Sequence, residues 1–445
     1  MKKTKLISLL LALVLVFVAC SPSGGSEKET KDEGGNSESI KAEITVQAES
    51  GWKAYYEEAI KRVLEKHPES KIDIIESGSF DHIEIIDNTD ATNADVADVF
   101  SLPADRFTNY AENQVLAALP AAEMAEALGG FGNIDEGLTG NFKIGDDYLA
   151  FPMNIETLIT FINTKNAEKA GIDVTKPIEL TEVKDPATVL LPLFDAWFGV
   201  APNNAGGIEL LAEDGEKFMS TYTSEYAGLN ADQKAVFDAI YNYWKLHNDS
   251  KTPLFDADAG WGYIDEQFTT GGNGVIRLEG PWATSGDGVI AKEIQAGNVS
   301  VHPIGQITIA GKPLTHWQGG WTLVANSRIE DDADKMALAV ELIKEIVNPE
   351  HAVDFYKATG KILENVPAET YQNSDLSDID KEVITNVLES YKVSPARPLF
   401  KEYGEVWDTW KNAVLSWNTV NPANAEAAYN ELKASFESMM QQIEQ

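Results

Sequence analysis

The alternation of strand-like and helix-like segments near the start of the chain constrains its fold most strongly. Residues 44–48 are strand-like, and a helical pattern over 54–66 follows, closed by His67 and Pro68. Residues 71–76 then alternate apolar and polar side chains as a strand does. A strand, a helix and a second strand in this order predict a βαβ unit, and therefore an α/β fold with a mostly parallel sheet covered by helices.

The same alternation continues along the chain. Further strands are expected at 97–100, 148–151, 157–163, 273–278 and 320–325, and helices at 107–116 and 231–247. The last part of the chain is mainly helical in pattern, and no internal repeat of fixed period is present. About 400 residues beyond the N-terminal segments are enough for two to three domains.

The N-terminal 40 residues differ in composition from the rest. Residues 1–19 combine three lysines with an apolar run from Leu6 to Ala19, which is the layout of a secretory signal peptide. This run is shorter than the about 20 apolar residues that a membrane-spanning helix needs. Residues 20–40 are rich in Ser, Gly, Glu and Lys, and a segment of this composition buries too little apolar surface to fold. They predict a flexible acidic tether.

Cys20, at the start of this tether, is the only cysteine of the chain, so no intramolecular disulfide is possible. The segment Phe17-Val18-Ala19-Cys20 resembles the lipobox of bacterial lipoproteins. The resemblance implies that Cys20 is acylated, and two acyl chains hold a protein durably on a membrane. We therefore expect a lipid-anchored protein on the outer face of the cell membrane. An ordinary signal peptide beside a buried cysteine is the alternative.

The charge of the chain restricts its partners. The formal net charge of −36 at pH 7 argues against binding to nucleic acid or phosphate-rich ligands and favours neutral or cationic solutes. The six histidines have no metal-ligand spacing, and the calcium-loop-like segment from Asp256 has Trp261 where the loop needs glycine. No hydrolase, metalloprotease or nucleotide-binding motif is present. We expect neither an enzyme nor a bound metal or cofactor.

Four segments resemble, in the same order, the signatures of the maltose- and maltodextrin-binding proteins of ABC importers. The first is 95–119, which contains Ser-Leu-Pro-Ala-Asp-Arg-Phe, and the second is 148–158, which contains Phe-Pro-Met-Asn-Ile-Glu. The third, 268–282, ends in Gly-Pro-Trp, and the fourth, 319–326, begins with Gly-Gly-Trp. Taken over the spacing of all four segments, the resemblance extends along nearly all of the chain after the tether.

This resemblance implies a fold of two α/β lobes, joined by hinge strands, with the ligand in the cleft between them. Lobe one is expected to contain residues 41–154 and 322–370, and lobe two residues 155–318 and 371–445. It implies a monomeric solute-binding component that captures an oligosaccharide and delivers it to the permease subunits of the transporter. A different sugar or a peptide is the alternative ligand. A glycosidase, which needs two carboxylates about 5 to 9.5 Å apart, is a remote alternative.

Aromatic residues are the first candidates for the ligand site. A sugar ring offers apolar C–H faces and a rim of hydroxyls, so its site needs flat aromatic surfaces beside hydrogen-bonding groups. The chain has ten tryptophans. Trp282 is the main candidate, because the resemblance gives its Gly-Pro-Trp turn a role in stacking on sugar. Trp321, Trp317 and Trp52 are further candidates, with burial in the core as the alternative for each.

Charged residues complete the expected site. Asp105 and Arg106 follow a strand, at the sheet edge where ligands bind in such folds, and both side chains suit paired hydrogen bonds to hydroxyls. An aspartate that caps a helix beside a surface arginine is the alternative. The resemblance places Glu156 at the lobe junction and both Asp81 and Phe80 in a contact loop. The family signature has a tryptophan at the position of Leu102 in this chain. This difference leaves the identity of the ligand open.

Overall fold

The computed structural model describes residues 39–135, 137–215, 217–284 and 286–443. The predicted signal peptide, Cys20 and nearly all of the predicted tether lie outside these ranges. Residues 39–445 group as one compact unit. None of the helices in the described ranges is long and apolar enough to cross a membrane.

Most strands are short, and the longest lie in two sheets. In chain order they are β1 (Glu43–Ala48), β2 (Lys71–Glu76), β3 (Val99–Pro103), β4 (Lys143–Ile144), β5 (Asp147–Tyr148), β6 (Phe151–Glu156), β7 (Ile159–Asn163), β8 (Ile178–Glu179), β9 (Val189–Leu190), β10 (Ala212–Asp214), β11 (Lys217–Met219), β12 (Ile276–Glu279), β13 (Val299–Pro303), β14 (Ile307–Ile309), β15 (Lys312–Pro313) and β16 (Gly319–Ala325).

Helices surround the sheets and dominate the C-terminal part. They are α1 (Lys53–Lys66), α2 (Ser79–Asn88), α3 (Phe107–Glu112), α4 (Ala121–Leu128), α5 (Gly137–Gly140), α6 (Thr164–Ala170), α7 (Ala196–Gly206), α8 (Ala231–Asp249), α9 (Gly260–Phe268), α10 (Val289–Gln295), α11 (Ala333–Ile346), α12 (Ala352–Thr359), α13 (Ala368–Gln372), α14 (Asp378–Val393), α15 (Glu405–Val420) and α16 (Ala425–Ile443). Two short 3₁₀ helices at Ala104–Arg106 and Pro281–Thr284 bear on the candidate site.

The first sheet has the strand order β2-β1-β3-β16-β6. Strands β1, β2 and β3 pair in parallel, which confirms the predicted βαβ unit. Strand β16 is antiparallel to both of its neighbours, β3 and β6. Four of the five strands therefore run in one direction, as expected, and β16 makes the sheet mixed. β16 enters from a distant part of the chain and runs against the strands beside it.

The second sheet has the strand order β13-β7-β12-β9. Here β7 is antiparallel to both β12 and β13, and only β12 and β9 pair in parallel. The chain passes from the first sheet to the second through Thr157 and Leu158, which join β6 to β7. The exact limits of the two predicted lobes remain predictions.

Two predicted elements differ from the structure for local reasons. The predicted helix at 107–116 ends at Glu112, because Gln114 takes a positive φ of 56°, which a helix excludes. The predicted strand at 148–151 is divided. Tyr148 belongs to the β4–β5 hairpin, whereas Phe151 begins β6.

The pairing of β6 with β16 is irregular where the chain leaves the first sheet. The register shifts between Trp321 and Thr322, opposite Asn154 and Pro152. Proline has no backbone N–H to donate, so it is found at bulges and strand edges. The bulge keeps both strands in the sheet and sets the directions of the side chains beyond it.

Gly320 is essential to this pairing. A Cβ atom at this position would stand 2.1 Å from the carbonyl oxygen of Asn154 and 2.8 Å from Leu138. Both neighbours are buried, and the carbonyl belongs to the paired strand, so neither has room to move aside.

We predict that Gly320→Ala lowers the free energy of unfolding by about 1 to 3 kcal/mol, because the methyl group overpacks the β6–β16 contact. Urea unfolding followed by circular dichroism measures this change. Gly262→Ala is the control, since no atom lies within 4 Å of the added methyl group there. Equal stability of the two variants would contradict the overpacking argument.

Candidate functional site

A cavity of about 790 Å³ lies where the ends of both sheets meet the C-terminal helices. Its size is within the range of about 300 to 1,000 Å³ that is common for small-molecule sites. Four of the sequence-predicted ligand residues line it: Trp52, Glu156, Trp282 and Trp321. Phe80, which the resemblance places in a contact loop, lines it as well. Residues that had not been proposed from the sequence also line it, among them Glu49, Tyr356, Lys361 and Asp380.

Trp282 presents an accessible aromatic surface to the cavity. It lies in the 3₁₀ helix after β12, and 44% of its surface is exposed. Its indole N–H donates a 3.1 Å hydrogen bond to the Glu279 carboxylate. Its six-membered ring covers Gly280, where a Cβ atom would stand 2.2 Å from the ring. The glycine therefore lets the ring lie flat on the backbone.

A buried ionic chain holds the partner of Trp282 in place. Glu279 pairs with Arg277 at 2.9 Å and accepts the backbone N–H of Gly280 at 3.1 Å. Arg277 also pairs with Asp265 at 2.5 Å. Burial raises the pKa of Glu279, and Arg277 opposes that shift. The indole N–H of Trp282 is thus anchored to the Glu279 carboxylate, which Arg277 and the Gly280 N–H also hold in place.

Trp52 and Trp321 are mostly buried, with 5% and 8% of their surfaces exposed. Trp52 precedes α1, and Trp321 lies in β16 next to the bulge. The Lys361 ammonium lies 4.6 Å from the ring centroid of Trp321 and 5.5 Å from that of Trp52. The Lys361 ammonium therefore lies next to both indoles in the lining of the cavity.

Phe80 adds a second exposed aromatic surface. It is 64% exposed and makes an edge-to-face contact with Trp321 at 5.2 Å. Phe80 lies at the start of α2, which packs on β1 and β3 of the first sheet, whereas Trp282 follows β12 of the second sheet. Aromatic surfaces thus reach the cavity from elements of both sheets.

Glu156 is the last residue of β6 and pairs in register with Gly319 of β16. Burial raises the pKa of its carboxyl group, and the nearby charges of Lys361 and Arg397 oppose this shift. Asp105 contributes a further increase through charge repulsion. A carboxylate in this position accepts hydrogen bonds readily, because burial leaves it short of water.

The other predicted ligand residues do not line this cavity. Asp81 lies on the exposed first turn of α2 with its carboxylate against Gly78. Asp105 and exposed Arg106 border a separate surface cavity of about 630 Å³. Trp317 is buried, with 4% of its surface exposed, and packs edge-to-face on Tyr403 at 5.1 Å. The structure thus separates these four residues from Trp282.

Asp105 pairs with a residue that the sequence analysis missed. Its carboxylate lies 3.0 Å from the guanidinium of Arg397, whose side chain is 7% exposed. The guanidinium also faces three indoles, with ring centroids at 4.8 Å for Trp197, 5.6 Å for Trp317 and 5.9 Å for Trp407. Asp105 makes no capping bond to α3, so the helix-cap alternative does not apply.

Glu364 is an uncommon buried acid close to Lys361 in the chain. Burial raises its pKa to about 7, and a hydrogen bond from the Leu138 backbone opposes that shift. Its second carboxyl oxygen has no hydrogen-bond partner within the described ranges. The folded protein therefore favours the protonated form of this side chain.

The described residues contain no group of three or more His, Cys, Asp or Glu side chains arranged to hold a metal ion. The cavity combines aromatic surfaces with carboxylates and the ammonium groups of Lys357 and Lys361. Such a lining suits a solute with apolar faces and several hydroxyl groups, since the rings cover the faces and the charged groups bond the hydroxyls.

We predict that Asp105→Asn lowers the free energy of unfolding by about 3 kcal/mol, because the variant leaves the buried Arg397 guanidinium without a charged partner. Chemical denaturation at pH 7 measures the change. Asp249→Asn, which removes an exposed pair with Lys245, is the control and should change stability by less than about 0.5 kcal/mol. A similarly small effect of both substitutions would contradict this role of Asp105.

We predict that the stability of the Glu364→Gln variant, relative to that of wild type, increases as the pH rises. The folded-state pKa of Glu364 is about 7, above the ordinary value of 4.5. Wild-type stability from this group is therefore present at acid pH and is lost as the pH rises through 7. Relative to wild type, the variant should gain about 2 to 3 kcal/mol between pH 5 and pH 8.

Urea unfolding at both pH values measures this difference. Glu389→Gln on the exposed side of α14 is the control. If the difference in unfolding free energy between the Glu364 variant and wild type does not change with pH, the raised pKa assigned to Glu364 is refuted.

No protein-family model and no curated protein sequence matches this chain. Solved structures do match. The maltose-binding periplasmic protein MalE of Listeria monocytogenes, in complex with maltose, shares 19% identity at a TM-score of 0.67, over 90% of this chain and 99% of that chain. MalX of Streptococcus pneumoniae, in complex with maltopentaose, shares 18% at a TM-score of 0.64, over 89% and 99%.

A third similar structure is the extracellular solute-binding protein of Staphylococcus aureus in complex with maltose. It shares 17% identity at a TM-score of 0.61, over 91% of this chain and 99% of that chain. Likenesses at such identities establish the fold, and they confirm the resemblance seen in the four sequence segments. This chain therefore has the two-lobe α/β fold of the maltose- and maltodextrin-binding proteins.

Proposed function

We propose that this protein is the solute-binding component of a bacterial ABC importer and that its ligand is an oligosaccharide of the maltodextrin type. The observation that carries the proposal is the cavity in which Trp282 and Phe80 offer exposed aromatic surfaces beside the half-buried Glu156. Stacking surfaces and hydrogen-bonding groups are the two requirements of a sugar site.

The polar lining supports the same ligand class. Glu49, Glu156 and Asp380 are each half-buried and offer acceptor oxygens, whereas Lys361 offers N–H donors. A sugar hydroxyl both donates and accepts, so one ring can use both kinds of group. Four predicted ligand residues lie outside this cavity: Asp105, Arg106, Trp317 and Asp81. They remain proposed contacts for a ligand that extends beyond the cavity or for another arrangement of the lobes.

The proposed mechanism is closure of the two lobes around the sugar. The hinge is placed near Pro152–Thr157 and Trp317–Trp321, where the chain passes between the sheets and the β6–β16 register shifts. A ligand that contacts both lobes only in the closed state shifts the population toward closure by its difference in affinity. The closed form then docks on the permease subunits, and a partner subunit hydrolyses ATP.

The transport role also draws on the N-terminal sequence. An acylated Cys20 and a tether of about 20 residues would hold the binding domain roughly 25 Å from the outer face of the membrane. The protein is proposed to act there as a monomer, without a cofactor and without catalysis. Isothermal titration of residues 39–445 with glucose, maltose, longer maltodextrins, xylo-oligosaccharides and a peptide mixture tests this proposal.

The outcomes of that titration separate the alternatives. Micromolar or tighter binding of maltodextrins supports the proposal in full. Binding of another sugar alone keeps the class of protein and changes the ligand. Binding of peptides alone, or of nothing in the panel, contradicts a sugar-import role.

We predict that Trp282→Ala weakens maltotriose binding about tenfold or more, because it removes the exposed stacking surface. Titration calorimetry measures the dissociation constant. The control is Trp244→Phe, because Trp244 is a fully buried core residue of α8 that does not line the cavity. An unchanged dissociation constant in the Trp282 variant would remove this residue from the site.

A further inference from the structure

Lys361 is held in the cavity by its own backbone. It follows α12 and Gly360, which ends that helix with a left-handed φ of 68°. Its backbone N–H donates to the Thr359 hydroxyl at 3.1 Å. The next residue, Ile362, accepts a 3.0 Å hydrogen bond from the backbone N–H of Ile155 in β6. The lysine is therefore fixed beside the strand that ends at Glu156.

The Lys361 ammonium has an unusual environment. It lies 4.6 Å and 5.5 Å from the ring centroids of Trp321 and Trp52. Burial lowers its pKa, and the charges of Glu156 and Glu49 oppose that shift. Within the described ranges its Nζ makes no hydrogen bond to a protein acceptor and no ion pair within 4.0 Å. Lys344, by contrast, pairs with Glu341 at 2.5 Å.

An ammonium has three N–H donors, and their loss of water is costly unless acceptors replace it. The two indoles compensate for part of this cost through cation–π contacts. The half-buried Lys361 lines the cavity, so its remaining donors are available to oxygen acceptors on a molecule there. Glu49, Glu156 and Asp380 share the cavity with Lys361 and with Lys357, whose ammonium is already paired with Asp375 at 2.7 Å. An anionic ligand therefore meets three carboxylates there. A neutral ligand rich in hydroxyls avoids this repulsion.

The position of the Lys361 ammonium, beside Trp52 and Trp321, is one that a cationic ligand would otherwise occupy. Two indole faces beside two carboxylates form the arrangement that recognises ammonium groups. In this protein Lys361 already fills it. A cationic solute would lose those ring faces and would be repelled by the lysine charge.

We propose that Lys361 determines the ligand class of the cavity: its ammonium donates hydrogen bonds to a neutral sugar and occupies the cation site between Trp52 and Trp321, so that cationic solutes are excluded. The first half of this proposal rests on the proposed function. The second half concerns the cation site alone and can be tested without any sugar.

Two variants of residues 39–445 test the two halves. Lys361→Met keeps an apolar stem on the indoles but removes the donors, so maltotriose should bind at least about tenfold more weakly. Lys361→Ala opens the space between the indoles, so tetramethylammonium should bind at least about tenfold more tightly than to wild type. Titration calorimetry measures both, with quenching of tryptophan fluorescence as a second signal for the cation.

Lys344→Met, a half-buried lysine of α11 away from the cavity, is the control and should leave both affinities unchanged. Unaltered maltotriose binding by Lys361→Met overturns the donor role, even though the sugar-binding function then stands. No gain of tetramethylammonium binding by a folded Lys361→Ala overturns the cation site. If wild type binds no sugar, the proposed function and the donor role fail together, and the tetramethylammonium result alone decides the cation site.

Discussion

The pairing of β16 with β3 and β6 is the interaction on which the candidate site depends. It joins residues from the first, middle and later parts of the chain in one sheet, with Trp321 opposite both Pro103 and Asn154. Glu156 and Trp321 reach the cavity because the two strands end there side by side. Without this antiparallel return, Glu156 and Trp321 would not share a cavity with Glu49 and Trp52, which follow β1.

Much of the fold was predictable from the sequence, because it follows local patterns and contains four recognisable segments. Alternation alone identified β1, α1 and β2 with nearly correct limits. It did not indicate the direction of β16, because alternation is the same for parallel and antiparallel strands. It also joined Tyr148 to Phe151, since the hairpin that separates them is defined by hydrogen bonds to β4.

The site was predictable only in part. Trp282 and Glu156 could be proposed because they lie in segments that resemble the family signatures. Lys361 and Arg397 lie in Thr-Gly-Lys and Ala-Arg-Pro sequences that have no local signal of a site. Their importance comes from contacts with indoles distant in the chain, and such contacts become visible only when the chain is folded. Asp105 was predicted to contact the ligand, whereas in the structure its carboxylate pairs with Arg397 of the same chain.

Gly280 illustrates how far the influence of a binding surface extends. It lies against the Trp282 ring, and every side chain larger than hydrogen would push the indole away from the backbone. The glycine that supports the exposed ring is therefore as restricted in sequence as the ring itself.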